Sequence, residues 1–355
     1  MAAGADAVIR IGPRAVGPGH PAFVIAELSA NHGGDYARAA DLVRRAAEAG
    51  ADAVKLQTYT PDTMTISSDD DVFRVGDGTE WAGRNLYDLY TEAQTPWEWH
   101  APLKELAESL DLQLFSSPFD GRALRFLDEL GVPAIKIASF EIVDWALIRA
   151  AAETGRPLIL STGMATKPEI AEAVSIARAA GCEELALLRC NSAYPAPAAE
   201  MDLRTIPDMA SEWHVPVGLS DHTVGVAAAI ASVALGASLL EKHVTLSRSE
   251  PGPDRAFSLE PHELKVMVGA VREAEQSLGS VRYGPSEHEN ASLAFRRSLF
   301  VVADVNAGQR FTADNVRAIR PGAGLAPKHL DTVLERRAAR DLKRGTPLTW
   351  DAVGE

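Results

Sequence analysis

Two histidines, His222 in Ser220-Asp221-His222 and His243 in Glu241-Lys242-His243, close two successive apolar segments of this chain. Neighbouring strands lie ~4.8 Å apart, so both imidazoles can reach one divalent ion. Such a site leaves positions open for substrate oxygens and water, which suits Mn²⁺, with Mg²⁺, Co²⁺ or zinc also within its chemistry. On spacing alone the pair serves equally well as ordinary hydrogen-bonding residues. Two lysines, Lys55 and Lys136, lie inside other apolar segments, where an unpaired charge is costly. Around them Ser117, Ser139, Ser161 and the Gly163 backbone supply donors, and the set reads as a cradle for phosphate plus carboxylate. For any single buried Lys or Glu, a structural ion pair is the competing reading.

These residues need a scaffold that brings segment ends together. Eight short apolar segments fit strands: 22–26, 53–57, 112–115, 134–137, 158–160, 185–188, 215–219 and 238–242. Amphipathic helical patterns alternate with them, including Tyr36–Ala49, Trp97–Leu110, Arg122–Leu130, Lys167–Ala180, Val224–Leu235 and Pro261–Leu278, several ending in a capping Gly. Eight alternations predict an α/β fold, a closed (β/α)8 TIM barrel, rather than an open doubly wound sheet. No G-x-G-x-x-G follows the first strand, so a dinucleotide-binding reading lacks its signature. In such a barrel the chemistry lies at the carboxyl ends of the strands. Polar residues fall there nearly every time: Glu27, Asn31 and His32; Lys55 and Gln57; Ser116 and Ser117; Lys136, Ser139 and Glu141; Ser161 and Thr162; Asn191, Ser192 and Tyr194; Ser220, Asp221 and His222; Glu241, Lys242 and His243.

Two stretches stand outside the repeat. The connection from Thr58 to Thr95 is rich in Asp, Thr and Gly, carries Trp81, Tyr87 and Tyr90 near its end, and reads as partly a lid over the barrel mouth. After about Ser280 the pattern becomes a small turn-rich β module behind a linker near 281–295. The predicted domains are therefore a barrel over 1–285 and a β-rich domain, with its linker, over 286–355.

The formal net charge is −14, with 46% hydrophobic residues. Disorder is excluded for the bulk, and no basic field exists to attract nucleic acid or anionic lipid. The longest apolar runs fall short of the ~20 residues a membrane helix needs, and MAAGADAVIR has no secretory pattern. The two cysteines, Cys182 and Cys190, make no disulfide framework. A reduced, cytoplasmic protein is expected.

The segments Ile25-Ala-Glu-Leu-Ser-Ala-Asn-His, Ala51-Asp-Ala-Val-Lys-Leu-Gln-Thr, Ser116-Ser-Pro-Phe, Lys136-Ile-Ala-Ser-Phe-Glu, Ser161-Thr-Gly-Met, Gly218-Leu-Ser-Asp-His-Thr and Glu241-Lys-His together resemble the sialic acid synthase family. Its members condense phosphoenolpyruvate with an amino sugar to give a nonulosonic acid. The tail with Arg320-Pro-Gly-Ala-Gly is similar to that family's SAF, or antifreeze-like, domain, so the resemblance spans nearly the whole chain. Leu28-Ser-Ala-Asn-His, Tyr59-Thr-Pro-Asp-Thr-Met-Thr, Tyr87-Asp-Leu-Tyr and Thr95-Pro-Trp-Glu-Trp resemble the branch that forms pseudaminic acid rather than N-acetylneuraminate. That branch implies 2,4-diacetamido-2,4,6-trideoxy-L-altrose as acceptor.

By motif, the resemblance implies that His222 and His243 ligate the metal, Mn²⁺ before Mg²⁺ or Co²⁺. It implies that Lys55, Ser117, Lys136, Ser139, Ser161, Ser192 and Ser220 hold phosphoenolpyruvate. Gln57, Tyr194 and Asp254 would face the acceptor sugar, and Arg320 would reach the acceptor of the other subunit in a domain-swapped homodimer. Asn85 aligns only loosely with a polar position of the family and stays outside the set. For the water that must add at C2, Glu27 is the preferred general base and Glu141 the second. Two rival classes remain: a Schiff-base aldolase using a strand lysine, and a sugar-binding module with an inert barrel. The serines beside both lysines and the intact polar strand ends weigh against them.

Overall fold

The computed structural model of the chain describes residues 7–76, 81–250 and 252–355. The chain divides into two compact units, Met1–Gly279 and Ser280–Glu355.

The first unit opens with a hairpin of β1 (Ile9–Ile11) and β2 (Arg14–Val16). Then come β3 (Phe23–Glu27), β4 (Ala53–Thr58), β5 (Gln113–Pro118), β6 (Ile135–Ile137), β7 (Leu158–Ser161), β8 (Leu185–Cys190), β9 (Val217–Asp221) and β10 (Leu239–His243). They pair in parallel in chain order, and β10 returns to β3, so the sheet closes on itself. This is the (β/α)8 barrel expected from the alternating pattern. Strands covered by helices outside and filled with side chains inside must be apolar on both faces. β3, β6, β7, β9 and β10 are accordingly buried at every residue.

The helices are fixed by the same logic of burial and caps. Tyr36–Ala49 buries Ala39, Leu42, Val43 and Ala46 at helical spacing, starts on the Asp35 side chain and stops at Gly50 in the left-handed region. Lys167–Ala179 starts on a capping box of Thr166 and Glu169. Each fully buried Leu or Val contributes about 1.5–3 kcal/mol. The pattern expected over Trp97–Leu110 divides into a 3₁₀ turn, Trp97–Trp99, and a helix, His100–Ser109. The helix expected from Val224 begins at Ala227, because Gly225 holds a φ of 89°. Two further helices, Trp145–Glu153 and Thr205–Trp213, complete the outer ring.

The long connection after β4 carries short helices at Pro61–Met64 and Leu86–Ala93. It is held to the barrel by Trp81 Nε1 donating to the Pro253 carbonyl at 2.9 Å and Trp97 Nε1 donating to the Tyr59 carbonyl at 3.1 Å. Residues 77–80 of this segment lie outside the described residues.

In the second unit β11 (Ser298–Val301) pairs antiparallel with β12 (Val316–Ile319) over a core of Leu299, Val301, Val305, Phe311, Val316, Val333, Leu342 and Leu348. Among the described residues no helix is long and apolar enough to cross a membrane.

Candidate active site

Strand register decides which side chains meet. Glu27 on β3 stands opposite Lys55 on β4 and opposite His243 on β10. Glu241 on β10 stands opposite Ser220 on β9, which pairs in turn with Cys190 on β8. Because successive residues of a strand face opposite sides, Glu241 and His243 point into the barrel mouth while Lys242 points away. Lys242 pairs with Asp221 at 2.9 Å, a buried ion pair behind the site.

At this carboxyl end lies a cavity of about 480 Å³. Thirteen of the fifteen residues singled out by sequence line it: Glu27, Lys55, Gln57, Lys136, Ser139, Glu141, Ser161, Ser192, Tyr194, Ser220, His222, His243 and Asp254. Ser117 is one step removed, accepting a hydrogen bond from Lys55 Nζ at 3.3 Å. Arg320 belongs to the second unit, directly after β12.

The lysines form the floor. Lys55 Nζ is 3.0 Å from Glu27 Oε2 and 3.1 Å from Glu241 Oε1. Burial works against its charge, but Glu241 and Glu27 outweigh this and hold it above the ordinary lysine value. Lys136 Nζ donates to the Ile137 carbonyl at 2.8 Å. Burial lowers its pKa to about 8, partly offset by Glu241.

Two carboxylates share Lys55, and they do not share it equally. Burial pushes both toward the neutral form, but Glu241 also feels Lys136, and the two lysines hold it below the ordinary range. Glu27 is raised by burial, with Lys55 opposing, to about 7. Glu141 is raised by burial, with Lys136 opposing, to about 7 as well. Two carboxyls in one cavity are thus poised to exchange protons near neutrality.

The raised Glu141 carries a stability cost with a definite sign. The folded chain holds this proton up to about pH 7, the unfolded chain only to about 4.5, so folding weakens as pH rises between these values. Glu141→Gln removes the titration. The variant is expected to be more stable than the parent at pH 8, by about 3 kcal/mol and with a higher melting temperature, and close to the parent near pH 5. A gap that does not change with pH in thermal melts would contradict the assignment.

The serines and one glycine complete the cradle. Ser139 Oγ and Ser192 Oγ are 2.8 Å apart. Gly163 turns beside them with a φ of 35°, and a Cβ there would lie 2.4 Å from Ser139 Cβ and 2.7 Å from Ser192 Oγ. Only glycine lets the backbone come this close. Ser161 Oγ, Glu141 Oε2, Glu241 Oε2 and His243 Nδ1 are buried with no hydrogen-bond partner. All four residues line the cavity. An unsatisfied buried polar group costs about 1–3 kcal/mol, so several around one space mark a place built for a polar ligand.

The histidines stand side by side at the ends of β9 and β10, ring centroids 5.2 Å apart. His222 Nδ1 lies 2.8 Å from the Asn191 carbonyl, to which it donates. That proton leaves the lone pair of the neutral ring on Nε2, the arrangement that metal-bound imidazoles use. Burial works against a charge on His222, but Cys190 and the Asn191 carbonyl outweigh it and raise its pKa. Burial, with His222 adding to it, holds His243 well below the ordinary value and hence neutral. Among the described residues no set of three or more His, Cys, Asp or Glu side chains is placed to hold a metal ion. Two imidazoles are what the described residues bring together at this wall.

The third wall is apolar and aromatic, from Tyr59, Val75, Trp81, Leu86, Leu89, Tyr90 and Phe119. Most belong to the 58–95 connection, which therefore covers the barrel mouth as expected. Trp81 packs on Tyr194 with centroids 5.7 Å apart.

Other residues keep structural roles. Asn85 caps the Leu86–Ala93 helix and donates to the Ser68 carbonyl. His32 is buried between Thr95, the Gly34 amide and Trp99, orienting the first loop. Asn31 donates to the Val244 carbonyl and Ser258. Of the remaining lining residues, Glu241 and Ser29 bear on the site's chemistry yet were given no role from sequence. Glu241 was legible as a strand-end acid in Glu241-Lys242-His243, but nothing in the sequence tells a cavity carboxylate from a structural one. Ser29 carried no signal beyond its place in the first motif.

Comparison with known proteins agrees with this geometry. The NeuB family model matches residues 42–283, and the SAF domain model matches residues 296–354. A pseudaminic acid synthase of Helicobacter pylori is 44% identical over 94% of this chain and 98% of its own length. One from Campylobacter jejuni subsp. jejuni serotype O:2 is 41% identical over 92% and 95%. Among solved structures, an N-acetylneuraminic acid synthetase from Leptospira borgpetersenii in complex with citrate superposes with a TM-score of 0.72 at 32% identity, covering 81% of this chain and 95% of that one. With this barrel, this cavity and a match over most of its length, the chain belongs to the NeuB family and carries a SAF domain at its C-terminal end.

Proposed function

We propose that this chain condenses phosphoenolpyruvate with 2,4-diacetamido-2,4,6-trideoxy-L-altrose and water to give pseudaminic acid and phosphate. The observation that carries the chemistry is one cavity lined by two lysines, several serines, two imidazoles and two carboxyls poised near pH 7. The altrose-configured acceptor rests on the similarity to the pseudaminic acid synthases.

Lys55 and Lys136 hold the phosphate and carboxylate of phosphoenolpyruvate, with Ser139, Ser161, Ser192 and Ser220 donating hydrogen bonds and Ser117 steadying Lys55. Gln57, Tyr194 and Asp254 hold the open-chain sugar so that its aldehyde carbon meets C3 of phosphoenolpyruvate. His222 and His243 fit a divalent ion, Mn²⁺ first among the candidates; when bound, it supplies Lewis acidity at the aldehyde oxygen. C3 bonds to the aldehyde carbon, positive character develops at C2, and the anionic Glu241 stabilises it. Water adds to C2 with its proton passing to Glu27, Glu141 being the alternative acceptor. The resulting tetrahedral centre expels phosphate by C–O cleavage as its new hydroxyl gives up its proton and becomes the ketone; of the two protons that water brought, one ends on the former aldehyde oxygen and one on the phosphate, which balances the reaction.

The same reading includes a homodimer in which Arg320 reaches the acceptor of the other subunit, in the cytoplasm where phosphoenolpyruvate is made. Sedimentation equilibrium tests the pairing, and a monomer at every concentration would contradict it. The function is tested by phosphate release from phosphoenolpyruvate with Mn²⁺, with and without chelator. The three acceptors are the altrose-configured sugar, N-acetylmannosamine and the 2,4-diacetamido-trideoxy-mannose. Metal-dependent release with the first alone is expected. Release with one of the others instead would make the chain an N-acetylneuraminate or legionaminate synthase of the same chemistry.

A further inference from the structure

Ser29 is held in a conformation that serine avoids. Its φ is 44°, in the left-handed region where a residue with a Cβ is strained and glycine is not. The turn itself does not need the serine. It is closed by the Leu28 amide donating to the Lys55 carbonyl at 3.0 Å and the Asn31 amide donating to the Leu28 carbonyl at 3.1 Å. Glycine would adopt the same backbone without strain.

What glycine would lack is the hydroxyl, and here it does two things at once. Ser29 Oγ donates to Asp254 Oδ2, a residue 225 positions further along the chain. It also accepts from Gln57 Nε2 at 3.1 Å. The second hydrogen of that amide goes to Glu27 Oε1 at 3.0 Å. Both N–H bonds of Gln57 are thereby used, so its carbonyl oxygen is the polar atom it has left to offer. Ser29 is 2% exposed and lines the cavity with Gln57 and Asp254.

We propose that Ser29 is a positioning residue for the acceptor sugar: its hydroxyl locks Gln57 and Asp254 into one fixed pair and links that pair, through Gln57, to Glu27. The inference rests on the reading of Gln57 and Asp254 as acceptor contacts. Without the bridge Gln57 keeps its bond to Glu27 but loses the one to Ser29, and Asp254 loses its Ser29 donor, so sugar binding must make up the lost restraint; that cost falls on the acceptor, since none of the lysines and serines given to phosphoenolpyruvate hydrogen-bonds Ser29.

The test is steady-state phosphate release by the full chain, varying each substrate in turn, for the parent, Ser29→Gly, Ser29→Ala, Asp254→Asn and the Ser29→Gly, Asp254→Asn double variant. Ser29→Gly relieves the strain and is expected to melt no lower than the parent. Its KM for the acceptor is expected to rise about 10-fold, with the KM for phosphoenolpyruvate within about twofold and the Ser29→Ala kinetics the same. In the Asp254→Asn background Ser29→Gly is expected to add little, because the partner it acts through has changed. An unchanged acceptor KM, an equal rise for both substrates, or full additivity in the double variant would overturn the proposal while leaving the function intact. A parent chain inert with every acceptor would overturn the reading of the site and this inference with it.

Discussion

Lys55→Met is expected to lose at least about 10³-fold in kcat/KM for phosphoenolpyruvate. Removing one preorganised charge from such a site costs about 10²–10³-fold in rate, and here ground-state binding of a multiply charged anion is lost as well. The change also strands Glu27 and Glu241, which lie 3.0 and 3.1 Å from the ammonium. A buried carboxylate that loses its partner typically costs about 3–5 kcal/mol unless it takes up a proton. Burial already raises Glu27, with Lys55 as the main opposing influence, so the variant holds its Glu27 proton to still higher pH. Its loss of stability relative to the parent therefore grows with rising pH. Melts at pH 5.5 and pH 8 check the sign; a larger loss at the acid end would contradict the ion-pair account.

Glu27→Gln separates binding from chemistry. The amide is nearly isosteric, so the cradle survives and phosphoenolpyruvate should bind within a few-fold of the parent by calorimetry. Turnover should fall by about 10²–10⁴-fold, the usual contribution of a positioned general base. The parent's kcat is expected to rise with pH through about 7, where Glu27 loses its proton, and that limb should vanish from the residual activity of the variant. Turnover within tenfold of the parent would remove Glu27 from this role and pass it to Glu141, whose pKa is also raised to about 7.

The barrel was legible in the sequence because a parallel strand buried on both faces leaves little choice of residue. Ala53-Val54-Lys55-Leu56-Gln57 and Leu239-Leu240-Glu241-Lys242-His243 admit polar groups only near their ends, and those ends are the mouth. The elements that periodicity missed are those with weak period. Trp145–Glu153 is too apolar and alanine-rich to show a polar face, and Thr205–Trp213 carries a proline in its first turn. The β1–β2 hairpin has three residues per strand, too few for alternation to register.

The same limit applies to the site. Side chains at strand ends converge because closure of the barrel compels it, so Lys55, Lys136, His222 and His243 could be placed without coordinates. The division of labour between Glu27 and Glu241 could not, since it depends on Lys136 lying nearer the second carboxylate's field than the first's. Nor could the Ser29 bridge, which joins residues 225 positions apart through a conformation that no propensity favours.

The central claim is that this cavity joins C3 of phosphoenolpyruvate to an amino-sugar aldehyde and then adds water at C2. Phosphoenolpyruvate labelled with ¹⁸O in its bridging C–O–P position, turned over with the altrose-configured acceptor and Mn²⁺, tests it most directly. Mass spectrometry of the products should find all of the label in phosphate and none in the nonulosonic acid. Label retained in the sugar would mean P–O cleavage, and would contradict both the attack of water at C2 and the role given to Glu27.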